Sequence, residues 1–302
     1  MSPSATSISL RATAIGLVAV LLWASVVGMI KSVSISFGAT GGAALLYTLA
    51  SLFLLLTLGL GRLSQFPRRY LVVGGLLFVT YELCLALSIG STTTARQAIE
   101  VGMVNYLWPA LTLVGTIVFN RQKARWWIVP GLALAMFGIV CVLSGDSGFS
   151  LPALIANVRL NPLSYGLALV GALIWAAYCV VTPKMASGHN GVTLFFMLTA
   201  ASLWIKLGFT GDISWSVEPL DIVMLFLAAA AMGFAYAAWN VGILSGNTTL
   251  LATASYFTPV LSAAFASAVL RSALPLSFWQ GTAMVTLGSL LCWHATRRQA
   301  EN

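Results

Sequence analysis

Asn105-Tyr106-Leu107-Trp108-Pro109 and Ser255-Tyr256-Phe257-Thr258-Pro259 are the two stretches on which the reading of this fold depends. Tyrosine and proline recur in them at an offset of 150 residues, and each stretch sits inside a long apolar run. The same offset carries Arg121 onto Arg271, Gly131 onto Gly281 and Gly138 onto Gly288. Earlier in each half, Leu22-Trp23-Ala24 answers Ile174-Trp175-Ala176, and these runs end in Lys31 and Lys184. The second half therefore repeats the first, dividing the chain into 1–150 and 151–302. Duplication inside membrane-spanning sequence points first to a transporter, because two related bundles can rock about a shared central site.

The membrane assignment follows from composition. Of 302 residues, 59% are hydrophobic and only 7% charged, too few charges to cover a soluble fold of this length. Apolar runs of about 18–20 residues, each able to cross ~30 Å of hydrocarbon, recur along the chain. Ten are expected: 12–30, 41–60, 70–88, 98–118, 124–143, 163–182, 192–209, 220–240, 249–269 and 276–295. The first resembles a signal peptide in its basic flank, Arg11, but its length and its repeat partner make it an uncleaved span. The short apolar segment Leu151–Val158 is expected to lie along the outer interface.

A net charge of +8 raises the question of nucleic acid, and the placement of the charges answers it. With the N-terminus inside, ten basic residues fall in inner segments: Arg11, Arg62, Arg68, Arg69, Arg121, Lys123, Arg125, Lys184, Arg297 and Arg298. Only Lys31, Arg96, Arg159 and Arg271 fall outside, while Lys206 lies within the seventh span. That asymmetry follows the positive-inside rule and puts both termini in the cytoplasm. The basic excess is topology, not a nucleic-acid surface. Cys84, Cys141, Cys179 and Cys292 all lie in apolar runs without a CxxC, and read as packing residues.

Five spans per half is an odd number, so the second half must enter from the opposite side. The expected fold is thus an all-α integral membrane protein of ten transmembrane helices, built as two inverted five-helix repeats around a central cavity. Gly131 and Gly138 share one helix face, as do Gly281 and Gly288, since seven residues is nearly two turns. Small residues let helices approach closely in lipid, so these spans read as a scaffold or a dimer contact. Monomer and homodimer both remain open.

Pro109 and Pro259 lie mid-span, where proline removes a helical hydrogen bond and frees a carbonyl; as a matched pair they read as hinges. Trp23, Tyr81, Tyr106, Trp108, Trp175, Tyr178, Tyr236, Trp239 and Tyr256 also fall well inside spans. Trp126, Trp127, Trp215, Trp279 and Trp293 suit the interfacial belt. The interior rings suit a cavity of flat amphipathic surfaces, with Trp23, Tyr81, Trp108, Trp175, Tyr178, Trp239 and Tyr256 as candidate walls. Glu82 lies ~18 Å along span 3, a depth at which a carboxylate pairs, protonates or lines water. Two roles are open to it: meeting a substrate ammonium or coupling proton, or pairing structurally with Lys31. Glu100 reads as interfacial, paired with Arg96. The amides Asn105 and Asn240 either hold a zwitterionic headgroup or tie helices together. Lys206 is expected to snorkel to the outer surface. No HExxH, GxSxG, phosphate-cradling loop or metal-ligand spacing occurs, so neither catalytic residues, cofactor nor metal is expected.

Taken together, Leu22-Trp23-Ala24, the Tyr-x-x-Pro pair and the glycine-rich fifth and tenth spans resemble the drug/metabolite transporter superfamily, in its ten-span class with two EamA-type repeats. The run from Glu100 to Pro109, with Tyr81-Glu82, is similar to that of YddG-type aromatic amino acid exporters. That resemblance implies export of aromatic and other neutral amino acids across a bacterial inner membrane, by alternating access. Small four-span multidrug relatives carry a Glu in their first span, and none stands here. Sugar-phosphate relatives want cations in the cavity, which here is aromatic. The alternatives are a multidrug or quaternary-cation exporter of the same fold, working by cation–π contacts, and a non-transporting membrane scaffold.

Overall fold

In a computed structural model, residues 5–121, 123–215 and 217–297 are described, with side chains except at 5–9, 240, 243–245, 248–249, 252–253 and 297. Those residues form helices and turns, with no strand among them. The first half holds α1 (Ala5–Phe37), α2 (Ala39–Thr57), α3 (Gly75–Gly90), α4 (Ala95–Asn105), α5 (Trp108–Asn120) and α6 (Ile128–Leu143). A linker helix, α7 (Leu151–Leu160), follows. The second half holds α8 (Pro162–Met185), α9 (Val192–Thr210), α10 (Pro219–Ser245), α11 (Thr248–Ser255), α12 (Thr258–Val269) and α13 (Leu276–Arg297).

Seven stretches among the described residues are long and apolar enough to cross a membrane: Leu10–Phe37, Ala39–Thr57, Tyr70–Gly90, Ala95–Asn120, Pro162–Met185, Val192–Thr210 and Pro219–Trp239. Three expected spans fall short for identifiable reasons. Helix α6 has only 16 residues, α12 is cut to 12 by a break, and α13 carries Gln280, Thr282, Thr286, Ser289 and His294 along its 22 residues.

Helix boundaries follow local chemistry. The first span runs past Lys31, where the sequence pattern alone suggests an end, because Lys31 Nζ donates to the Thr92 carbonyl at 2.5 Å and the charge is satisfied in place. It stops at Gly38, whose φ of 83° ends the helix. Helix α2 begins there with a cap from across the molecule: Asp212 Oδ2 accepts the Thr40 N–H and the Asp212 carbonyl accepts that of Gly41, both at 2.9 Å. Lys206 Nζ donates to Thr40 Oγ1 at the same corner. Thr94, Ser150 and the Glu218–Asp221 capping box start α4, α7 and α10.

Packing couples the two halves. Helix α1 lies along α10 and α12, α8 lies along α3 and α5, and α2 pairs with α9. The closest crossing joins α6 to α13. A Cβ placed on Gly138 would sit 2.5 Å from the Gly281 carbonyl oxygen, and one on Gly281 2.6 Å from that of Gly138. A Cβ on Gly288 would likewise lie 2.6 Å from the Gly131 carbonyl oxygen. The helices therefore run antiparallel with backbone on backbone. Their glycine faces are consumed within the chain, which removes them as a dimer contact.

Candidate functional site

The fourth and ninth expected spans are broken, not kinked. In the first half, α4 ends at Asn105 and α5 begins at Trp108. Leu107 N–H bonds back to Val104, and Leu111 N–H to Leu107. In the second half, Phe257 N–H bonds to Ala254 and Leu261 N–H to Phe257, the same two bonds at an offset of 150 residues. Pro109 and Pro259 therefore sit in the first turn of a new helix, where the missing N–H breaks no bond of that helix, and not within a continuous one. Local sequence repeats as local structure at the ends of these helices too: Arg121 and Arg271 are both left-handed, with φ of 54° and 49°.

Beside the first break stands a train of aromatic rings. Trp175 stacks against Tyr81 (4.5 Å) and Tyr178 (4.8 Å), and Trp108 meets it edge-on at 6.4 Å. Phe78 joins Trp175 and Tyr178 to Tyr236, at 5.5–5.9 Å. Tyr236 meets Trp23 at 5.3 Å, and Trp23 meets Trp239 at 5.0 Å. Five of these elements, α1, α3, α5, α8 and α10, each contribute at least one ring. Trp23, Trp108, Trp175, Tyr178, Tyr236 and Trp239 keep part of their surface exposed although they lie mid-span. Of the candidate walls, Tyr256 alone stands apart: it is buried on Trp293, 6.4 Å away, which also draws Trp293 into a ring pair the belt reading did not foresee.

Glu82 is fully buried, and Lys31 is not its partner. Oε2 accepts the Tyr47 hydroxyl at 2.6 Å and Oε1 the Tyr236 hydroxyl at 2.8 Å, so the carboxylate fastens α2, α3 and α10 together. Tyr47 had no signal in the repeat pattern; only its depth in span 2 marked it as a polar group in need of a partner. Asn105 is also buried. Its Nδ2 lies 3.4 Å from the Tyr81 hydroxyl, and its Oδ1 has no hydrogen-bond partner. The Asn240 side chain lies outside the described residues.

Glu100 pairs with Arg96 as expected (3.1 Å), and it is buried within the protein. Its Oε2 accepts Asn157 Nδ2 at 2.8 Å and the Tyr165 hydroxyl at 2.7 Å. A cavity of about 370 Å³ opens over this group, walled by α4, the end of α6 and the linker helix.

Comparison with known proteins agrees with this architecture. The EamA-like transporter family matches residues 162–293. An aromatic amino acid exporter YddG of Salmonella typhimurium is 54% identical over 96% of this chain and 99% of its own length. Its namesake in Escherichia coli is 54% identical over 95% and 98%. A solved crystal structure superposes with a TM-score of 0.64 over 95% of this chain and 98% of its own, at 22% identity, a likeness of fold alone. A multi-pass helical membrane protein with an aromatic centre, so widely identical to these relatives, this chain belongs to the EamA-like transporter family.

Proposed function

We propose that this chain exports aromatic and other neutral amino acids across a bacterial inner membrane by alternating access. The observation that carries the proposal is the train of mid-span rings from Tyr81 to Trp239 beside a broken helix. Such rings offer flat apolar surface to a side chain, while a helix break offers polar backbone to a headgroup. The YddG relatives, aromatic amino acid exporters by name, support the same substrate class.

Within this reading, Trp23, Tyr81, Trp108, Trp175, Tyr178 and Trp239 wall the substrate cavity. Pro109 and Pro259 mark the two flexible joints, and spans 3, 4, 8 and 9 move against the rest. Repeats 1–150 and 151–302 are inverted five-span units, with both termini cytoplasmic. The reciprocal glycine crossing and the bond-for-bond match of the two breaks support that inversion. Glu82 serves as a fastening between helices and not as a site for substrate cations, since both its oxygens are taken.

The test is uptake by proteoliposomes of labelled phenylalanine, threonine and tetraphenylphosphonium, with and without a pH gradient. Saturable amino acid flux without cation flux is expected. Cation flux alone would replace this reading with the multidrug one.

A further inference from the structure

The two helix breaks share a backbone but not a chemistry. Each proline lacks the N–H that would serve the carbonyl four residues back, so Pro109 deprives Asn105 and Pro259 deprives Ser255. In the second half the loss is repaired on the spot: the Thr258 hydroxyl donates to the Ser255 carbonyl at 2.7 Å. The position equivalent to Thr258 is Trp108, which has no hydroxyl. The first break therefore lacks the side-chain donor that closes the second.

A second acceptor stands on the same residue. Asn105 Oδ1 is buried without a hydrogen-bond partner, and Asn105 itself is only 6% exposed. A buried amide oxygen left unpaired carries a desolvation cost that a ligand donor would relieve. The side chain is held in place from its other end, near the Tyr81 hydroxyl, and Tyr81 stacks on Trp175. The side-chain oxygen of Asn105 thus stands beside the aromatic train, with its own carbonyl at the end of α4, and no carboxylate makes the place selective for a full cation of any shape. The carboxylate that is near in sequence, Glu82, is closed off by two tyrosine hydroxyls.

We infer that the first helix break, and not the second, receives the substrate's ammonium group, on the side-chain and main-chain oxygens of Asn105. The inference rests on the exporter reading above and deepens it by fixing the orientation of the substrate. The ammonium lies at the end of α4, and the side chain extends along Trp108, Trp175 and Tyr81. The second break, closed by Thr258, is a joint only.

The test uses purified full-length protein in proteoliposomes carrying labelled phenylalanine, with two competitors. 2-Phenylethylamine keeps the ammonium and lacks the carboxylate; 3-phenylpropionate keeps the carboxylate and lacks the ammonium. In the wild type, phenylethylamine competes and phenylpropionate does not. Asn105→Leu, of equal size but without the oxygen, weakens phenylethylamine competition about tenfold, the scale of a lost hydrogen bond to a charged group. Asn105→Asp restores or tightens it, and Thr258→Val leaves it unchanged. Equal competition by phenylethylamine in wild type and Asn105→Leu overturns the inference, as does a larger loss in Thr258→Val. Should the wild type carry no phenylalanine at all, the exporter reading fails, and quenching of tryptophan fluorescence by phenylethylamine then decides the site separately. Quenching that Asn105→Leu abolishes upholds it, and none in the wild type overturns it. If Asn105→Leu does not fold, the Asn105→Asp gain and the Thr258→Val comparison carry the same decision.

Discussion

Replacing Gly138 by alanine tests the crossing of α6 and α13 directly. The added Cβ would lie 2.5 Å from the Gly281 carbonyl oxygen, 2.8 Å from the Val285 nitrogen and 2.9 Å from the Met284 Cβ. Ordinary contact begins at 3.4 Å, so the tightest approach is short by about 0.9 Å, and its obstacle is backbone that no rotamer change can move. The helices must part along the crossing, at an overpacking cost of about 1–3 kcal/mol. The assay is thermal unfolding of detergent-purified protein followed by monodisperse recovery. Gly138→Ala is expected to melt several degrees below the wild type. Gly166→Ala serves as control, since a Cβ there has nothing within 4 Å and gains helix propensity. Combining Gly138→Ala with Gly281→Ala should cost less than the two singles added, because the first substitution has already opened the gap for the second. A Gly138→Ala protein that melts with the wild type would refute the backbone-on-backbone contact.

Three further outcomes follow from the same geometry. Trp175→Ala removes the ring on which Tyr81, Tyr178, Trp108 and Phe78 converge, and should abolish saturable phenylalanine flux while membrane insertion persists; Trp108→Ala should raise the substrate concentration needed for half-maximal flux. Tyr47→Phe strips one buried oxygen of Glu82 of its donor at a cost of about 1–3 kcal/mol. In a double-mutant cycle with Glu82→Leu, measured by thermal melts, the two effects should fall short of additivity by at least about 0.5 kcal/mol. Asp212→Ala removes a cap on α2 and should lower stability by about 1 kcal/mol, an effect that Asp212→Asn, which keeps an acceptor oxygen, largely avoids.

The large features of this fold are legible in the sequence because the membrane imposes them. Length and apolarity mark seven of the ten expected spans, and the duplication marks where spans 4 and 9 depart from a straight helix, since Tyr-x-x-Pro at a fixed offset survives as the same pair of backbone hydrogen bonds. The mid-span aromatic residues stand out for a related reason: a tryptophan or tyrosine at that depth needs partners, and most of them find one another in a single train of rings. What the sequence hides is pairing. Glu82 and Lys31 look like natural partners by charge, yet each is satisfied by neutral oxygen groups from segments that no local pattern associates with it. Tyr256 matches Tyr106 in sequence but faces α13, because a repeat conserves backbone geometry more faithfully than the neighbours of each side chain. The Arg96–Glu100 pair is visible from its helical spacing, whereas the linker helix that buries it is a tertiary event.

The glycine crossing has a mechanical side as well. Most helix pairs are geared by interlocking side chains, and one cannot turn on the other without lifting out of its grooves. Where Gly131, Gly138, Gly281 and Gly288 meet, the teeth are few and short: backbone lies on backbone, with Ala135, Val142, Met284 and Cys292 beside it. At this one crossing the two helices meet on a smoother face than interlocked side chains would give, so the geometry that holds α6 and α13 close does little to fix their rotation on each other.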